Sequence, residues 1–321
     1  MIKTCLSSLL FLCSLYYCFG GSIAKSDSMK IEKRNQWKES ASNKGCFYVY
    51  WGYNHEFFSR SNIHFSGPDY DLTFYNLKAV DRPEKFTFDN YFNPVNLTRP
   101  EYNFRGGYFV TAGLHVSFGI DHMKYVMLRN QMAAVSGVVS PAASSKYAGT
   151  YLHDTINVAP DMLEFEHTNG LNLVSLEVEY LQPVVNIYKK KIWLKWNFGI
   201  GGIWVITKTE ISIFGDDVDN RFHLSGYTLE AKTGPRLEFW KWGFLAFEVK
   251  GGYMSLPDVL IHNDEPKRAD HNFSFVEYYG VAGLQIPIND LVAMQKAKRK
   301  RKAEALHPSL NHKDAQPLFF S

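Results

Sequence analysis

The chain is poor in cysteine, with four in 321 residues. Cys5, Cys13 and Cys18 all fall in the N-terminal apolar stretch, so a chain without that stretch keeps Cys46 alone and has no internal disulfide. A second apolar run of the roughly 18 residues that a spanning helix needs is also missing. Excess charge of one sign is small, at +3, and the basic residues crowd into Lys296–Lys302. A globally basic nucleic-acid-binding surface is thereby excluded. Neither Gly-x-Ser-x-Gly nor His-Glu-x-x-His occurs, so two common hydrolase signatures are missing.

Aromatic residues are plentiful instead. Phe, Tyr and Trp make up 16% of the chain, with 24 Phe, 19 Tyr and 7 Trp, and 23 Gly accompany them. This bias suits strands that carry aromatic girdles against lipid, although a soluble sandwich can share it. At the N-terminus, Lys3, the uncharged run Leu6–Phe19 and the small residues Ser22 and Ala24 read as a secretory signal over residues 1–24. Tyr16 and Tyr17 precede Cys18 where a lipobox wants small residues, so lipidation is the weaker reading. Residues 25–45 are expected to form a flexible leader, 46–288 the folded body and 289–321 a basic periplasmic tail.

From Cys46 onward the sequence alternates with period two, which puts successive side chains on opposite faces of a strand. In 227–239, Tyr227, Leu229, Ala231, Thr233, Pro235, Leu237 and Phe239 oppose Thr228, Glu230, Lys232, Gly234, Arg236 and Glu238. The same division recurs in 172–180, 191–206, 245–253 and 276–286. A soluble sandwich would alternate in this way with the charged face outside. Three features favour a membrane barrel: long blocks, aromatics near their ends, and connections of alternating length. Short turns are expected at Thr111–Gly113, Pro183–Lys190 and Trp240–Gly243, and long polar loops at Arg129–Gly170, Glu210–Arg221 and Pro257–His271. The fold class expected is all-β, a closed antiparallel transmembrane β-barrel with long outer loops. Its eight strands lie near 46–58, 102–111, 114–128, 171–182, 190–206, 222–239, 243–255 and 272–288. Segments 61–65 and 70–80 also look like strands, and ten is the alternative count.

An eight-stranded barrel is filled by side chains, whereas an open aqueous channel needs about 16 strands. The inward faces would hold Glu177, Glu179, Glu230, Glu238, Glu248 and Glu277 with Arg105, Lys195, Lys232, Arg236 and Lys250. That near balance suggests a cross-braced polar interior, because buried charges persist only when paired.

The densest polar cluster is Gly119-Ile120-Asp121-His122-Met123-Lys124-Tyr125, with Ser117, Gly119 and Asp121 facing in and His122 and Lys124 facing out. His122 and Lys124, with Arg60, could contact lipid phosphates at the outer rim, against the plainer reading of snorkelling anchors. Asp121, His122, His64, His55 and Ser117 are the catalytic candidates: histidine with a carboxylate could form a base and its orienter, with Ser117 or Ser66 as nucleophile. A metal site from His55, His64 and His167 lacks a close ligand pair, and no metal or cofactor is expected. The sequons at Asn96 and Asn272 read as chance in a bacterial envelope protein.

On Trp51-Gly52-Tyr53-Asn54, Asn62-Ile63-His64-Phe65, Tyr102-Asn103-Phe104-Arg105-Gly106-Gly107-Tyr108 and Asp121-His122-Met123-Lys124-Tyr125, the chain resembles uncharacterised small outer-membrane β-barrel proteins of Bacteroidota-like Gram-negative bacteria. The resemblance spans most of 46–288 and implies the outer membrane, but no single activity. The expected function is a barrel with a packed polar interior, in envelope structure, surface interaction or limited transport of a small solute. The alternatives are a lipid A or phospholipid acyl hydrolase with its site at the outer rim, and a soluble periplasmic β-protein that binds an apolar ligand. Expected partners are outer-membrane lipids and a small solute or surface ligand, with no nucleic acid, and a monomer is favoured.

Overall fold

The computed structural model describes residues 37, 39–96, 99–263, 266–288, 295–299 and 301. The expected signal segment and most of the leader and basic tail lie outside the described residues. In chain order the elements are β1 (Cys46–Phe58), β2 (Ser61–Gly67), β3 (Tyr70–Leu77), β4 (Ala79–Val80), α1 (Phe88–Phe92), β5 (Tyr102–Phe109), β6 (Leu114–Met127) and β7 (Gln131–Val139). Then follow β8 (Gly149–Val158), β9 (Leu163–Tyr188), β10 (Ile192–Thr207), β11 (Glu210–Ile213), β12 (Asp216–Asp219), β13 (His223–Phe239), β14 (Gly243–Leu260) and β15 (Arg268–Pro287).

Eight of these strands close a ring in the order β1-β5-β6-β9-β10-β13-β14-β15. Strand β15 returns to β1 in an unbroken antiparallel register from Cys46–Pro287 to Phe58–Phe275. The fold is a closed eight-stranded antiparallel barrel, and closure leaves its wall without a free edge. The ten-strand alternative is set aside. Of the wall strands, β2 pairs with the far end of β15, Arg268–His271, and β3 pairs with β2, so both stand beyond the wall.

At one end of the barrel the hairpins are tight. Lys189 and Lys190 both take positive φ (39° and 61°), as do Trp240 and Lys241 (50° and 63°). Two central residues with positive φ make the type I′ turn, whose twist matches that of the flanking strands. The expected turn over Pro183–Lys190 is corrected by this geometry. Strand β9 runs on to Tyr188, and the register shift between Leu194 and Lys195 opens a bulge that accommodates Pro183, which has no N–H to give a ladder.

The opposite end overturns a second expectation. The stretches expected as long polar loops are largely strands. From the top of β15, the sheet continues through β2, β3, β7 and β8, while β11 and β12 extend the top of β9 and β4 edges β6. Together with the far ends of β6, β9, β14 and β15 they enclose one apolar core. It includes Phe65, Leu72, Phe74, Met123, Tyr125, Phe165, Leu171, Met254, Leu256 and Phe273, each no more than 2% exposed. We call this part the cap and the remainder the lower barrel.

Candidate functional site

Alternation along each wall strand separates two environments. In the lower barrel the outward residues are apolar and open: Phe118, Leu176, Val178, Phe198, Ile200, Leu229, Leu245, Phe247 and Val276 are all exposed. Aromatic residues border this belt, with Tyr188, Trp240 and Trp242 at the hairpin end and Phe57, Trp204, Tyr227 and Tyr253 toward the cap. From Trp242 to Tyr253 the chain covers about 36 Å at about 3.3 Å per residue, or about 28 Å along the axis for a tilt of about 40°. That matches the apolar band of about 25 Å on membrane barrels.

Inside the same wall, the alternate residues bring charge together. Lys250, on β14, is fully buried and hydrogen-bonded to Asp121, with Glu177 at 3.3 Å, Glu230 at 3.6 Å and Glu277 at 3.7 Å. Arg105 reaches Glu177 at 2.7 Å and Asp121 at 3.2 Å, and donates to Ser117 and Ser175. Lys232 joins Glu177 (2.6 Å), Glu179 (2.9 Å) and Glu248 (3.4 Å). Nearer the hairpin end, Glu238 holds Lys195 at 2.5 Å and Arg236 at 3.1 Å. The Arg236 guanidinium carbon lies 3.5 Å from the centre of the Phe244 ring, and Tyr48, Tyr50 and Tyr279 fill the remaining section. Tyr48 donates to Glu179 and Tyr279 to Glu248. The lumen is thus occupied by paired charges and rings rather than by a path for solutes.

Every residue of the expected interior set (Arg105, Glu177, Glu179, Lys195, Glu230, Lys232, Arg236, Glu238, Glu248, Lys250 and Glu277) lies buried in this lumen. Sequence reasoning left out Asp121 as a network member, and also His115, Asn54, Asn103 and Glu56. All five continue the inward phase of β1, β5 and β6 and were readable from alternation alone. Asp121, Glu177 and Glu230 bring oxygens within 4.8 Å of one another, a spacing that suits a cation. The ammonium of Lys250 already contacts all three, so a tethered cation sits where a metal would.

The catalytic candidates are not brought together. Ser117 and Asp121 are sealed in the lumen, where Ser117 donates to Glu179 at 2.5 Å. His122 points outward from the next position, its Nδ1 2.8 Å from Asn172 Oδ1. His55 pairs with Asp81 at 3.1 Å. His64 lies on the cap between Asp270 (2.8 Å) and Asp71 (3.0 Å). Burial opposes its charged form, but these two carboxylates prevail and raise its pKa. Adjacent residues of a strand face opposite sides, so the local cluster at 119–125 splits across the wall.

Each residue of the expected lipid-phosphate set has protein partners in the structure. Arg60 donates to the carbonyl of Asn76 on the cap at 3.1 Å. Lys124 is 6% exposed and already paired with Glu84 at 3.2 Å and Glu101 at 3.5 Å. The groove beside it, lined by Arg82, Glu84, Arg99, His122, Lys124 and Glu210, mixes both signs of charge.

Within the apolar core of the cap lies a histidine pair that sequence reasoning did not join. The rings of His167 and His271 are 5.7 Å apart and both are buried. His167 Nδ1 meets Thr209 Oγ1 at 3.1 Å, while both nitrogens of His271 are without a hydrogen-bond partner. Burial pushes the pKa of His271 down to about 3. Burial, with His271 beside it, holds His167 well below the usual imidazole range.

No protein-family model matches the chain, and no curated protein does. Among solved structures it is similar to the outer membrane protein OprG from Pseudomonas aeruginosa, at 8% identity and a TM-score of 0.36, over 77% of this chain and 98% of that one. It is also similar to Ail, the attachment invasion locus protein of Yersinia pestis, at 10% identity and a TM-score of 0.30, over 76% and 99%. A third is Neisserial surface protein A, at 12% identity and a TM-score of 0.29, over 76% and 99%.

Proposed function

We propose that this protein is an outer-membrane barrel that anchors a folded cap at the cell surface, and that it acts in envelope structure or surface interaction. The observation that carries the reading is the exchange of polarity along single strands. On the inward face of β14, Glu248 and Lys250 give way to Met254 and Leu256, while outward Leu245, Phe247 and Val249 give way to Ser255. On β15, inward Glu277 is followed toward the cap by Phe275 and Phe273, and outward Val276 by Ser274 and Asn272. An apolar exterior over a charged interior is stable in hydrocarbon, and the reverse arrangement in water. One strand that carries both belongs at a boundary between the two.

Solute transport is the weaker part of the original expectation, because ion pairs and aromatic rings fill the lumen. The cap offers a wide water-facing surface, and the exposed strand β8 at the end of its sheet is one place where another molecule could pair. Two measurements test the reading together. Membrane fractionation followed by a denaturing gel should recover the protein with the outer membrane and give a band that shifts only on boiling. Planar bilayers containing it should stay silent. Recovery in the periplasmic wash would reject the membrane reading, and steady conductance would reject the closed lumen.

A further inference from the structure

The segment between β4 and β5 has a feature that barrel and cap do not explain. It lies against the outside of the wall and turns its large apolar side chains away from the protein. Phe86 is 77% exposed, Phe88 78%, Phe92 55% and Val95 86%. The Phe88 and Phe92 rings stack on each other at 5.0 Å, so α1 presents one aromatic face outward.

The other side of the segment is fastened. Tyr91 is buried, its ring 4.7 Å from that of Tyr53, and the Tyr53 hydroxyl donates to the Tyr91 carbonyl. The Tyr91 hydroxyl donates to the Glu84 carbonyl at 3.1 Å, and Asn96 holds Asp89 at 2.8 Å. Tyr53 faces outward on β1 between Trp51 and His55, with the open ring of Phe57 beyond, and so stands at the cap-side border of the apolar belt. Strand β5 begins only at Tyr102, opposite Tyr53, so the segment covers the wall where that strand has not yet started. Four open apolar side chains therefore extend the belt sideways at the height of its aromatic border.

We propose that residues 81–96 form a membrane-inserted anchor, with Phe86, Phe88, Phe92 and Val95 buried among the acyl chains of the outer leaflet beside the barrel. This inference rests on the outer-membrane reading above. The occupant is hydrocarbon because the patch is continuous with the lipid-facing belt through Tyr53. Arg82, Arg99, Glu84 and Glu210 line the polar groove beside it. Unlike a pocket for one ligand, such a surface needs no shape match. It fixes the barrel's depth and rotation, as interfacial aromatics do.

Fluorescence quenching tests it on the full chain in a cysteine-free background (C5S, C13S, C18S, C46A), refolded into phospholipid vesicles. Single cysteines replace Phe88 or Val95 and carry an environment-sensitive dye. Leu229→Cys, on the belt, serves as the lipid reference, and Leu152→Cys, on the cap, as the water reference. Spin-labelled lipid should quench Phe88→Cys and Val95→Cys as strongly as Leu229→Cys, and aqueous iodide should leave them bright. Iodide quenching at the level of Leu152→Cys, with Leu229→Cys still in lipid, overturns the anchor alone. Iodide quenching of Leu229→Cys overturns the membrane reading and the anchor with it. Shielding from both quenchers would mean that protein covers the segment, and that also overturns the proposal.

Discussion

The lower barrel and the cap share the strands β6, β9, β14 and β15, yet each would be inside out in the other's surroundings. Along β14 the inward series Ala246, Glu248, Lys250, Gly252, Met254 and Leu256 never loses phase. Only the chemistry of the positions changes. Period-two alternation therefore defines two faces without saying which one meets water, and the two regions give opposite answers within one strand. What holds each region together differs accordingly. The cap is stabilised by apolar burial as a soluble domain is, whereas the lower barrel depends on closed hydrogen-bonded ladders and on compensation among charges that have no water to screen them.

The sharpest way to break the comparison is to remove the central charge. Lys250→Met leaves Asp121, Glu177, Glu230 and Glu277 sharing too little positive charge in a buried lumen. Loss of one partner from a buried ion network costs about 3–5 kcal/mol. The urea midpoint of the lipid- or detergent-folded protein should fall accordingly, and an unchanged midpoint would show that the lumen is wet enough to screen the acids. The same substitution chemistry in the other direction, Met254→Lys two repeats of the alternation further toward the cap, should also destabilise, there because a cation enters an apolar core.

The outer faces give a smaller and cleaner contrast. Leu229→Lys puts an ammonium into the belt and should cost about 2–4 kcal/mol if the site lies near the middle of a bilayer. Thr155→Lys, exposed on β8 of the cap, should change stability by no more than about 0.5 kcal/mol. Equal effects at the two positions would erase the distinction between a lipid-facing and a water-facing surface.

How far the sequence carried this picture can be read from particular residues. The eight wall strands were legible because long alternating blocks such as 227–239 and 276–286 have one charged and one greasy side. The cap was not. Strands β7 and β8 are rich in Ala, Ser, Gly and Thr, β11 and β12 are four residues each, and their alternation is too brief or too weak to separate from loop. Residues 61–65 and 70–80 did carry a strand signal, but sequence could not tell wall from extension. The candidate site failed for another reason. Closeness along the chain joined Asp121 to His122, which the wall holds apart, whereas His167 and His271 meet only through the tertiary fold.

That histidine pair allows pH to separate the two regions. Both groups have folded-state pKa values below the unfolded value, so the unfolded chain takes up protons that the folded cap refuses. Their contribution is present above about pH 6.5 and shrinks as pH falls, by about 1.4 kcal/mol per unit for each histidine. Hydrogen exchange at pH 7.5 and 5.5 should therefore reveal loosening around Phe165, Leu171 and Phe273, with the strands near Leu229 and Phe247 still protected. His271→Phe, which fills the same apolar space without a titrating group, should remove about half of the pH dependence. A cap that stays equally protected in both variants at pH 5.5 would assign the acid response elsewhere.

The smallest expected effect lies at the junction and has the opposite sign. Glu56 on β1 stands directly across from Glu277 on β15, and both side chains are buried on the inward face. Glu277 is served by Asn54 at 2.8 Å and Asn103 at 2.6 Å, while neither carboxylate oxygen of Glu56 has a hydrogen-bond partner. Like charges directly opposite in an antiparallel pair are destabilising by about 0.2–1 kcal/mol. Glu56→Gln keeps the shape and removes the repulsion, so it should raise the urea midpoint slightly at neutral pH. Glu277→Gln, which takes a carboxylate from Lys250 and Asn103, should lower it. If both substitutions stabilise, Lys250 has charge to spare and the lumen carries an excess of acid throughout. If both destabilise, Glu56 has a role at the boundary that its surroundings in the folded chain do not reveal, and the line between the charged and apolar interiors would have to be redrawn one residue pair toward the cap.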